Sequence, residues 1–301
     1  MSAAPEAQLL EAQLKEAMDR HGSKKDGRTP SNLDESIRYS LLAPGKRIRP
    51  RLVLATAEML GLPEKSVLPA ALSIEMIHCF TLIHDDLPCM DDDDFRRGMP
   101  SNHKKFGEGL ALLAGDGLIP LALEVFLDSQ IRTDFLLKGL KTLLWAMGPR
   151  GVIGGQATES LLTTKSTLAD LNQMHQMKTG ALFSASLLIP RDFAGIEEQS
   201  DAGKVLATFA SALGSAFQIA DDLEDAAIAP SQTPTKTKES DKPTSVLFYK
   251  SPQEISQATL RSLTFATEEL NSQWGKKTAK LQSISLEVVG KIETALGANF
   301  R

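Results

Sequence analysis

The sequence predicts an all-α fold, a single bundle of ten or more helices over residues 1–301. Apolar residues recur every three or four positions through most of the chain, as at Leu10, Leu14 and Met18, and this is the period of an amphipathic helix. Runs of alternating β-branched residues and hairpin dipeptides are nearly absent. Because the connections are short and no linker divides the chain into two apolar cores, we expect one domain.

The composition excludes several classes of protein. Of the 301 residues, 42% are hydrophobic and 24% are charged, which is enough for a sizeable core. The net charge of −5 argues against nucleic-acid binding. Cys79 and Cys89 are too few for a disulfide framework, and the charged N-terminus lacks the apolar core of a signal peptide. The most apolar window, 110–127, contains Asp116 and Glu124, so we expect no membrane span and a soluble, cytoplasmic protein.

Helix-forming segments follow one another along the chain. The helices are predicted at 5–20, 32–42, 52–60, 64–87, 107–127, 134–147, 168–189, 200–225, 252–273 and 277–297. The glycine-rich residues 151–156 lack the strand that a dinucleotide-binding fingerprint requires, so they indicate close helix packing. Residues 226–244 are rich in Pro, Ser, Thr and Lys and form the long candidate loop of the chain.

The stretch from Asp85 to Gly98 is the most acidic in the chain: six carboxylates fall within ten residues, and two arginines follow. Two unit charges about 4 Å apart repel by roughly 4 kcal/mol at an effective dielectric near 20, so the cluster requires open water or a cation. A solvated loop is the common outcome for a charge run. This run, however, directly follows the apolar segment 74–87. Carboxylates at the end of a buried helix are more typical of a metal site.

A second acidic cluster, 221–225, ends another apolar helix. Asp221 and Asp225 stand four residues apart and share one helical face. If the two helices face each other, several carboxylate oxygens converge on one cavity mouth. Oxygen ligands with little histidine and no thiolate set suit Mg²⁺, which completes its shell with substrate phosphates.

Cations accompany the two acidic clusters. Four of the six residues at 46–51 are basic and precede a helix, where cations oppose the helix dipole unless an anion binds there. Arg49, Arg96 and Arg97 can donate forked hydrogen bonds to such an anion. The residues alone therefore indicate a helical bundle whose mouth binds a metal-bound diphosphate and whose apolar interior suits a hydrocarbon tail.

The motifs of the chain resemble those of the trans-prenyltransferases, or isoprenyl diphosphate synthases, and most of all the bacterial farnesyl and geranylgeranyl diphosphate synthases. They occur in order: GKRIRP at 45–50, DDLPCMDDDDFRRG at 85–98, GGQ at 154–156, KTG at 178–180 and FQIADDLED at 217–225. The resemblance covers essentially the whole chain. It implies the isoprenoid synthase fold, one polyprenyl synthetase domain around a central apolar cavity, and a homodimer. The implied reaction joins isopentenyl diphosphate to an allylic diphosphate, dimethylallyl or geranyl, and releases pyrophosphate.

The resemblance also implies roles for individual residues. Three Mg²⁺ ions would bind to the carboxylates of Asp85, Asp91 and Asp221. These ligands would be supported by three more carboxylates, those of Asp86, Asp222 and Asp225. Isopentenyl diphosphate would be bound by Lys46, Arg49, His78 and Arg97. The allylic diphosphate would be bound by Arg96, Lys178 and Lys236, with Thr179 and Gln218 nearby. In the family the released pyrophosphate takes the final proton, so no protein base is expected.

Some positions leave alternatives open. A histidine on a buried helix is more often a satisfied core residue, and only the family motif favours a binding role for His78. His103 has no such motif. Segment 234–244 is shorter than in the family, so either Lys236 or Lys238 contacts the diphosphate. Glu159 stands where the family has an aspartate.

The length of the product is predicted from one aromatic residue. Phe80, five residues before Asp85, is aromatic as in the fifteen-carbon enzymes of the family, and its ring would form the floor that stops elongation at farnesyl diphosphate. If Phe80 packs elsewhere, the twenty-carbon geranylgeranyl product is expected. A terpene cyclase is a further alternative, but it needs no isopentenyl diphosphate site, so Lys46, Arg49 and Arg97 argue against it. A non-catalytic synthase subunit typically lacks one of the two acidic motifs.

Overall fold

The computed structural model describes residues 3–22, 29–228 and 245–299. Within these ranges the chain forms thirteen α-helices, and its strands make one short hairpin. The prediction of an all-α fold is confirmed.

The chain divides into two compact units. The first unit is Met1–Ala57 with Leu62–Leu136, and the second is Glu58–Gly61 with Leu137–Arg301. The prediction that residues 1–301 form one domain stays a prediction.

The first unit is organised around α4, which has apolar residues on all of its faces. Its Ile74, Met76 and Ile77 are fully buried, as expected of a helix without a polar face. It packs along α6, and Ser73 Oγ donates a 2.7 Å hydrogen bond to the Ala122 carbonyl of that helix. The elements that begin in this unit are α1 (Ala3–His21), α2 (Ser31–Leu41), α3 (Ile48–Met59), α4 (Glu64–Asp85), β1 (Phe95–Arg96), β2 (Met99–Pro100), α5 (Asn102–Phe106), α6 (Glu108–Leu127) and α7 (Thr133–Met147).

Helix α3 begins four residues earlier than the sequence predicts, at Ile48 instead of residue 52. The cause is the preceding residue, Arg47, which is buried and donates hydrogen bonds to the carbonyls of Leu41 and Ala43 and to Glu75. These bonds fix the chain just before the helix. Pro50 then falls in the first turn, where a missing N–H costs nothing.

The second unit surrounds α11, which packs against α10, α12 and α13. Leu206, Phe209 and Leu213 on α11 are fully buried. The elements that begin in this unit are α8 (Val152–Leu161), α9 (Leu168–His175), a π-helical turn (Gln176–Gly180), α10 (Ala181–Phe193), α11 (Asp201–Ile228), a 3₁₀ turn (Val246–Phe248), α12 (Pro252–Trp274), a second 3₁₀ turn (Gly275–Thr278) and α13 (Ala279–Asn299).

The predicted single helix 168–189 is wrong in one respect, because the π-helical turn separates α9 from α10. A π-turn contains an extra residue per turn and is frequent at functional sites. Lys178 and Thr179 lie in this turn.

Two helices of the first unit, α4 and α6, are long and apolar enough to cross a membrane by length and composition. Core helices pass the same test. The most apolar stretch of α4 is 78% buried within the protein, whereas that of α6 is 44% buried. Leu112, Leu113 and Leu127 of α6 are about half exposed.

Candidate active site

In the first acidic segment, 85–94, the chain folds back so that its two predicted metal ligands approach each other. Asp85 ends α4, and the Asp91 N–H donates a 2.9 Å hydrogen bond to the Asp85 carbonyl. Asp92 stabilises the same turn through its N–H, which lies 3.2 Å from the Leu87 carbonyl, and adopts a φ of 54°. Asp85 is half-buried and Asp91 is exposed. The loop therefore brings the backbones of two predicted ligands, Asp85 and Asp91, into direct contact.

Asp86 has a different environment from its neighbours. It is only 2% exposed and accepts hydrogen bonds from Nε and Nη2 of Arg96, the first at 2.8 Å. Burial raises the pKa of Asp86, and the Arg96 guanidinium opposes that rise. Burial lowers the pKa of Arg96, but the hydrogen bond to Asp86 and the negative charges of Asp86, Asp93 and Asp85 together outweigh burial and raise it. Arg96 also contacts Asp93. Asp86 thus fixes the guanidinium that follows the acidic run.

The two arginines of the motif lie in the β1–β2 hairpin. Arg96 pairs with Met99, and the two turn residues Arg97 and Gly98 have φ values of 54° and 77°. Positive φ at both positions is typical of a type I′ turn. A Cβ at position 45 would lie 3.0 Å from Cζ of Arg97. The glycine of the GKRIRP motif therefore allows the Arg97 side chain to lie against the backbone.

His78 lies in a positively charged environment. It is half-buried on α4, and burial followed by the charges of Arg49, Arg97, Arg47 and Arg96 lowers its pKa well below the ordinary value. The ring is therefore neutral near pH 7. Of the four guanidiniums, that of Arg47 is buried against Glu75. The concentration of positive charge suits an anion with several phosphate oxygens.

Phe80 is 3% exposed and its ring stands edge-on to His84, with the ring centroids 5.8 Å apart. The His84 ring in turn lies against α6, since a Cβ at Gly115 would be 2.1 Å from Nε2 of His84. His84 Nε2 also lies 3.1 Å from the Leu112 carbonyl. These contacts fix the Phe80 ring one and a half turns before Asp85.

One group of possible metal ligands was missed by sequence reasoning. Atoms of Asp92, Asp94 and His103 lie within 4.8 Å of one another. The Nδ1 atom of His103 lies 3.1 Å from Ser101 Oγ, and its buried Nε2 has no hydrogen-bond partner among the described residues. A carboxylate-rich donor set with an orienting hydrogen bond fits a divalent cation. In the sequence, His103 follows the acidic run by nine residues. This spacing is not part of a general metal-binding motif, so the sequence alone did not indicate the group.

In the second acidic segment, 221–225, neighbouring aspartates have different partners. Lys291 Nζ lies 3.3 Å from Asp221 Oδ1. Asp222 is buried instead and accepts hydrogen bonds from the Gln218 side chain, Ser245 Oγ and the Val246 N–H. Asp222 therefore anchors residues 245 and 246 to α11. The side chain of Asp225 lies outside the described residues, as do Lys236 and Lys238.

Lys178 is positioned by a close approach of α8 to the π-turn. A Cβ at Gly155 would lie 2.2 Å from the Lys178 backbone nitrogen, so only glycine fits there. From the same helix, Glu159 accepts a hydrogen bond from Lys178 Nζ at 2.5 Å. The interpretation of residues 151–156 as close helix packing agrees with this geometry. Glu159, which departs from the family pattern, remains able to pair with Lys178.

The other predicted binding residues lie at the surface or at a cavity of the second unit. Lys46 is exposed just before α3, and Arg49 is half-buried in its first turn. Gln218 lines a cavity of about 520 Å³ together with Arg150, His175 and Lys250, and the described residues that line this cavity include no carboxylate. Thr179 is half-buried in the π-turn.

Comparison with known proteins decides the family. The polyprenyl synthetase family model matches residues 30–263. The chain belongs to the polyprenyl synthetase family. It is 42% identical over 213 residues to the farnesyl diphosphate synthase of Geobacillus stearothermophilus, a match over 69% of this chain and 70% of that enzyme. It is 40% identical over 200 residues to geranylgeranyl pyrophosphate synthase 4 of Arabidopsis thaliana, over 65% of this chain and 53% of that protein.

Solved structures of the family show the same fold. An FPP/GFPP synthase from Zymomonas mobilis matches 95% of this chain and 98% of its own, with a TM-score of 0.80 and 30% identity. A geranyltransferase from Legionella pneumophila matches 96% of this chain and 99% of its own, with a TM-score of 0.78 and 28% identity. The chain is a prenyltransferase of the trans-prenyl diphosphate synthase type with the isoprenoid synthase fold.

Proposed function

We propose that the chain is a short-chain synthase that condenses isopentenyl diphosphate with dimethylallyl and then geranyl diphosphate, and that it stops at farnesyl diphosphate. The observation that supports the fifteen-carbon product is the Phe80 ring, buried five residues before Asp85 and held edge-on by His84. An aromatic side chain fixed by packing in this position is a floor that a growing hydrocarbon chain cannot pass.

The donor set supports Mg²⁺ as the metal. The residues proposed to hold it are Asp85 and Asp91 of the first acidic segment and Asp221 of the second, all hard oxygen donors. Three ions are proposed. When bound, Mg²⁺ neutralises the diphosphate that leaves the allylic substrate and so lowers the barrier to an allylic carbocation.

The side chains of the protein are proposed to bind and orient the two diphosphate substrates and to exclude water from the site. For isopentenyl diphosphate the proposed binding residues are Lys46, Arg49, His78 and Arg97. For the allylic diphosphate they are Arg96, Lys178, Thr179, Gln218 and Lys236. Asp86 supports the site by fixing Arg96, and Asp222 by fixing residues 245 and 246, with Asp225 as a third proposed support. Cations aimed at the leaving group stabilise its developing charge. An apolar interior keeps water from the carbocation, and the released pyrophosphate takes the final proton.

The experiment that tests the reaction measures pyrophosphate release. Pure protein is mixed with Mg²⁺, dimethylallyl diphosphate and isopentenyl diphosphate, and in parallel without isopentenyl diphosphate. Release that depends on isopentenyl diphosphate is expected. Release without it would indicate a terpene cyclase, and no release in either mixture would indicate a non-catalytic subunit.

The product assignment is tested at Phe80. Phe80→Leu opens the proposed floor, so its main product is expected to be longer than that of the parent. Phe209→Leu is a matched control, since it removes the same atoms from a fully buried position on α11. Chromatography that shows one product length for all three proteins would reject Phe80 as the floor.

A twenty-carbon product is the second candidate. Relatives at similar identity include both farnesyl and geranylgeranyl diphosphate synthases. The geranylgeranyl diphosphate synthase of Cyanophora paradoxa, for example, is 44% identical over 201 residues. A longer tunnel past Phe80 would support it, and the same chromatography separates the two products.

We propose that the enzyme is a cytoplasmic homodimer with no nucleic-acid partner and no membrane span. The half-exposed leucines of α6, Leu112, Leu113 and Leu127, support a second copy as the occupant of that surface. Sedimentation equilibrium should give twice the chain mass of 32.6 kDa. The mass of one chain would contradict the dimer.

A further inference from the structure

Lys291 on α13 is held against the second acidic segment by three groups. Its Nζ lies 3.0 Å from Glu224 Oε2, 3.3 Å from Asp221 Oδ1 and 5.1 Å from the centroid of the Phe217 ring. Only 16% of the Lys291 side chain is exposed. A lysine bound to two carboxylates and an aromatic face is more restrained than an ordinary surface lysine.

The three partners of Lys291 lie on one face of α11. Phe217, Asp221 and Glu224 are separated by four and three residues, which is the spacing of neighbours on a helix surface. This face meets α13, since α11 packs against α13 and all three residues contact its Lys291. The ammonium group of Lys291 therefore lies beside Oδ1 of Asp221, the carboxylate that is proposed to bind the metal.

A comparison on the same helix shows that this contact is specific. Lys280 of α13 pairs with Glu58, but both of those side chains are more than half exposed. Exposed pairs of that kind contribute little. Lys291 differs because it is shielded from water and faces a predicted metal ligand.

A metal ion and the ammonium group cannot both contact the same Asp221 oxygen without strong repulsion. Two positive groups this close repel each other strongly where they are shielded from water. The metal must displace Lys291 or bind against its charge. By linkage, whatever Lys291 contributes to holding Asp221 is subtracted from the affinity for the metal.

We propose that Lys291 is a positioning residue that holds Asp221 in the metal-free protein and competes with the divalent cation for it. This inference rests on the proposed role of Asp221 as a metal ligand. Before the metal binds, Lys291 reduces the repulsion between the carboxylates of Asp221 and Glu224. It also raises the metal concentration that is needed to occupy the second acidic segment.

The test is a titration of the purified protein with Mn²⁺, with free ion measured by electron paramagnetic resonance. Asp221→Asn identifies the class of sites that belongs to the second acidic segment. At those sites Lys291→Met and Lys291→Gln should bind Mn²⁺ about fivefold more tightly than the parent, the factor that a half-buried ion pair is worth. Lys291→Arg, which keeps the charge, and Lys280→Met, the matched control on α13, should stay within about twofold of the parent.

Thermal melting without metal checks that each variant folds cooperatively and adds a second measurement. The neutral variants at position 291 should melt below the parent without metal and gain more from Mn²⁺ than the parent does. Unchanged or weaker Mn²⁺ binding by folded Lys291→Met would overturn the inference. If the parent nevertheless forms prenyl product, the proposed function stands and only the inference falls. Absence of product overturns the function, whereas the titration still reports on Lys291.

Discussion

In the first acidic segment the compensating cation comes from ten residues along the chain, whereas in the second it comes from another helix seventy residues away. Asp86 binds Arg96 within one loop and hairpin. Asp221 binds Lys291 of α13. The first segment therefore neutralises itself locally, and the second depends on the packing of α13 against α11.

The two segments also differ in which aspartate is buried. In the first, Asp86 is buried against arginine and Asp85 is half-buried at the helix end. In the second, buried Asp222 binds an uncharged serine hydroxyl, an amide side chain and a backbone N–H. In each pair the second aspartate makes the structural hydrogen bonds, and the first is the proposed metal ligand. Sequence spacing alone gives both members the same weight.

The largest expected effect separates Asp221 from Asp222. Asp221→Asn removes a proposed metal ligand, so kcat/KM should fall about a thousandfold, as for loss of one group that stabilises developing charge. Asp222→Asn should instead lower the free energy of unfolding by about 2 kcal/mol, because three donors lose a charged acceptor. Steady-state kinetics and urea unfolding of both variants check this. Equal losses of activity without loss of stability would remove the distinction.

The next effect concerns Lys178, which pairs with Glu159 of α8 in the second unit. Gly155→Ala places a Cβ 2.2 Å from the Lys178 backbone nitrogen, so the free energy of unfolding should fall by about 3 kcal/mol as α8 is pushed off the π-turn. Gly290→Ala is the matched control, since nothing lies within 4 Å of its Cβ and helix propensity should stabilise it by about 0.5 kcal/mol. Similar unfolding midpoints for both variants would show that α8 does not constrain the turn.

A smaller effect compares the two compensating cations directly. Arg96→Gln leaves the buried Asp86 without its charged partner and should cost about 2 kcal/mol of unfolding free energy, a value reduced because Arg96 is partly exposed. Lys291→Gln should cost less than about 1 kcal/mol, since Asp221 and Glu224 remain hydrated. Adding Asp86→Asn to Arg96→Gln should restore part of the loss. A double variant no more stable than Arg96→Gln would reject the local pairing.

The smallest effect is a dependence of stability on pH in the first unit. Because the pKa of His78 is lowered in the folded protein, the neutral ring contributes stability that is complete above about pH 6.5 and is lost as the pH falls toward the folded pKa. The slope is at most about 1.4 kcal/mol per pH unit. Urea unfolding between pH 7.5 and 5.5 should show a shallower slope for His78→Asn. Parallel slopes would contradict a lowered pKa of His78 in the folded protein.

The sequence predicted the helices because their apolar period does not depend on distant residues. It placed the start of α3 too late, since Arg47 becomes a helix anchor only through Glu75, 28 residues away. The π-turn at Lys178 was missed for a similar reason. Its extra residue is accommodated by the absent side chain of Gly155 on another helix, and no local pattern marks that contact.

The candidate site was predictable to the extent that its residues are adjacent in sequence. The acidic runs and the arginines after them are visible as clusters. The partners of Asp221 and Asp222 are not, because Lys291 and Ser245 reach them only through folding. His103 was given no role for the same reason, although it lies beside Asp92 and Asp94.

The proposed function is tested most directly by identifying the product that the wild-type protein makes from geranyl diphosphate and excess isopentenyl diphosphate with Mg²⁺. Chromatography after hydrolysis of the diphosphate should show the fifteen-carbon alcohol as the main product, with none formed when the metal is chelated. Accumulation of the twenty-carbon alcohol would contradict the role of Phe80. Formation of a cyclic hydrocarbon, or product without Mg²⁺, would contradict the proposed reaction itself.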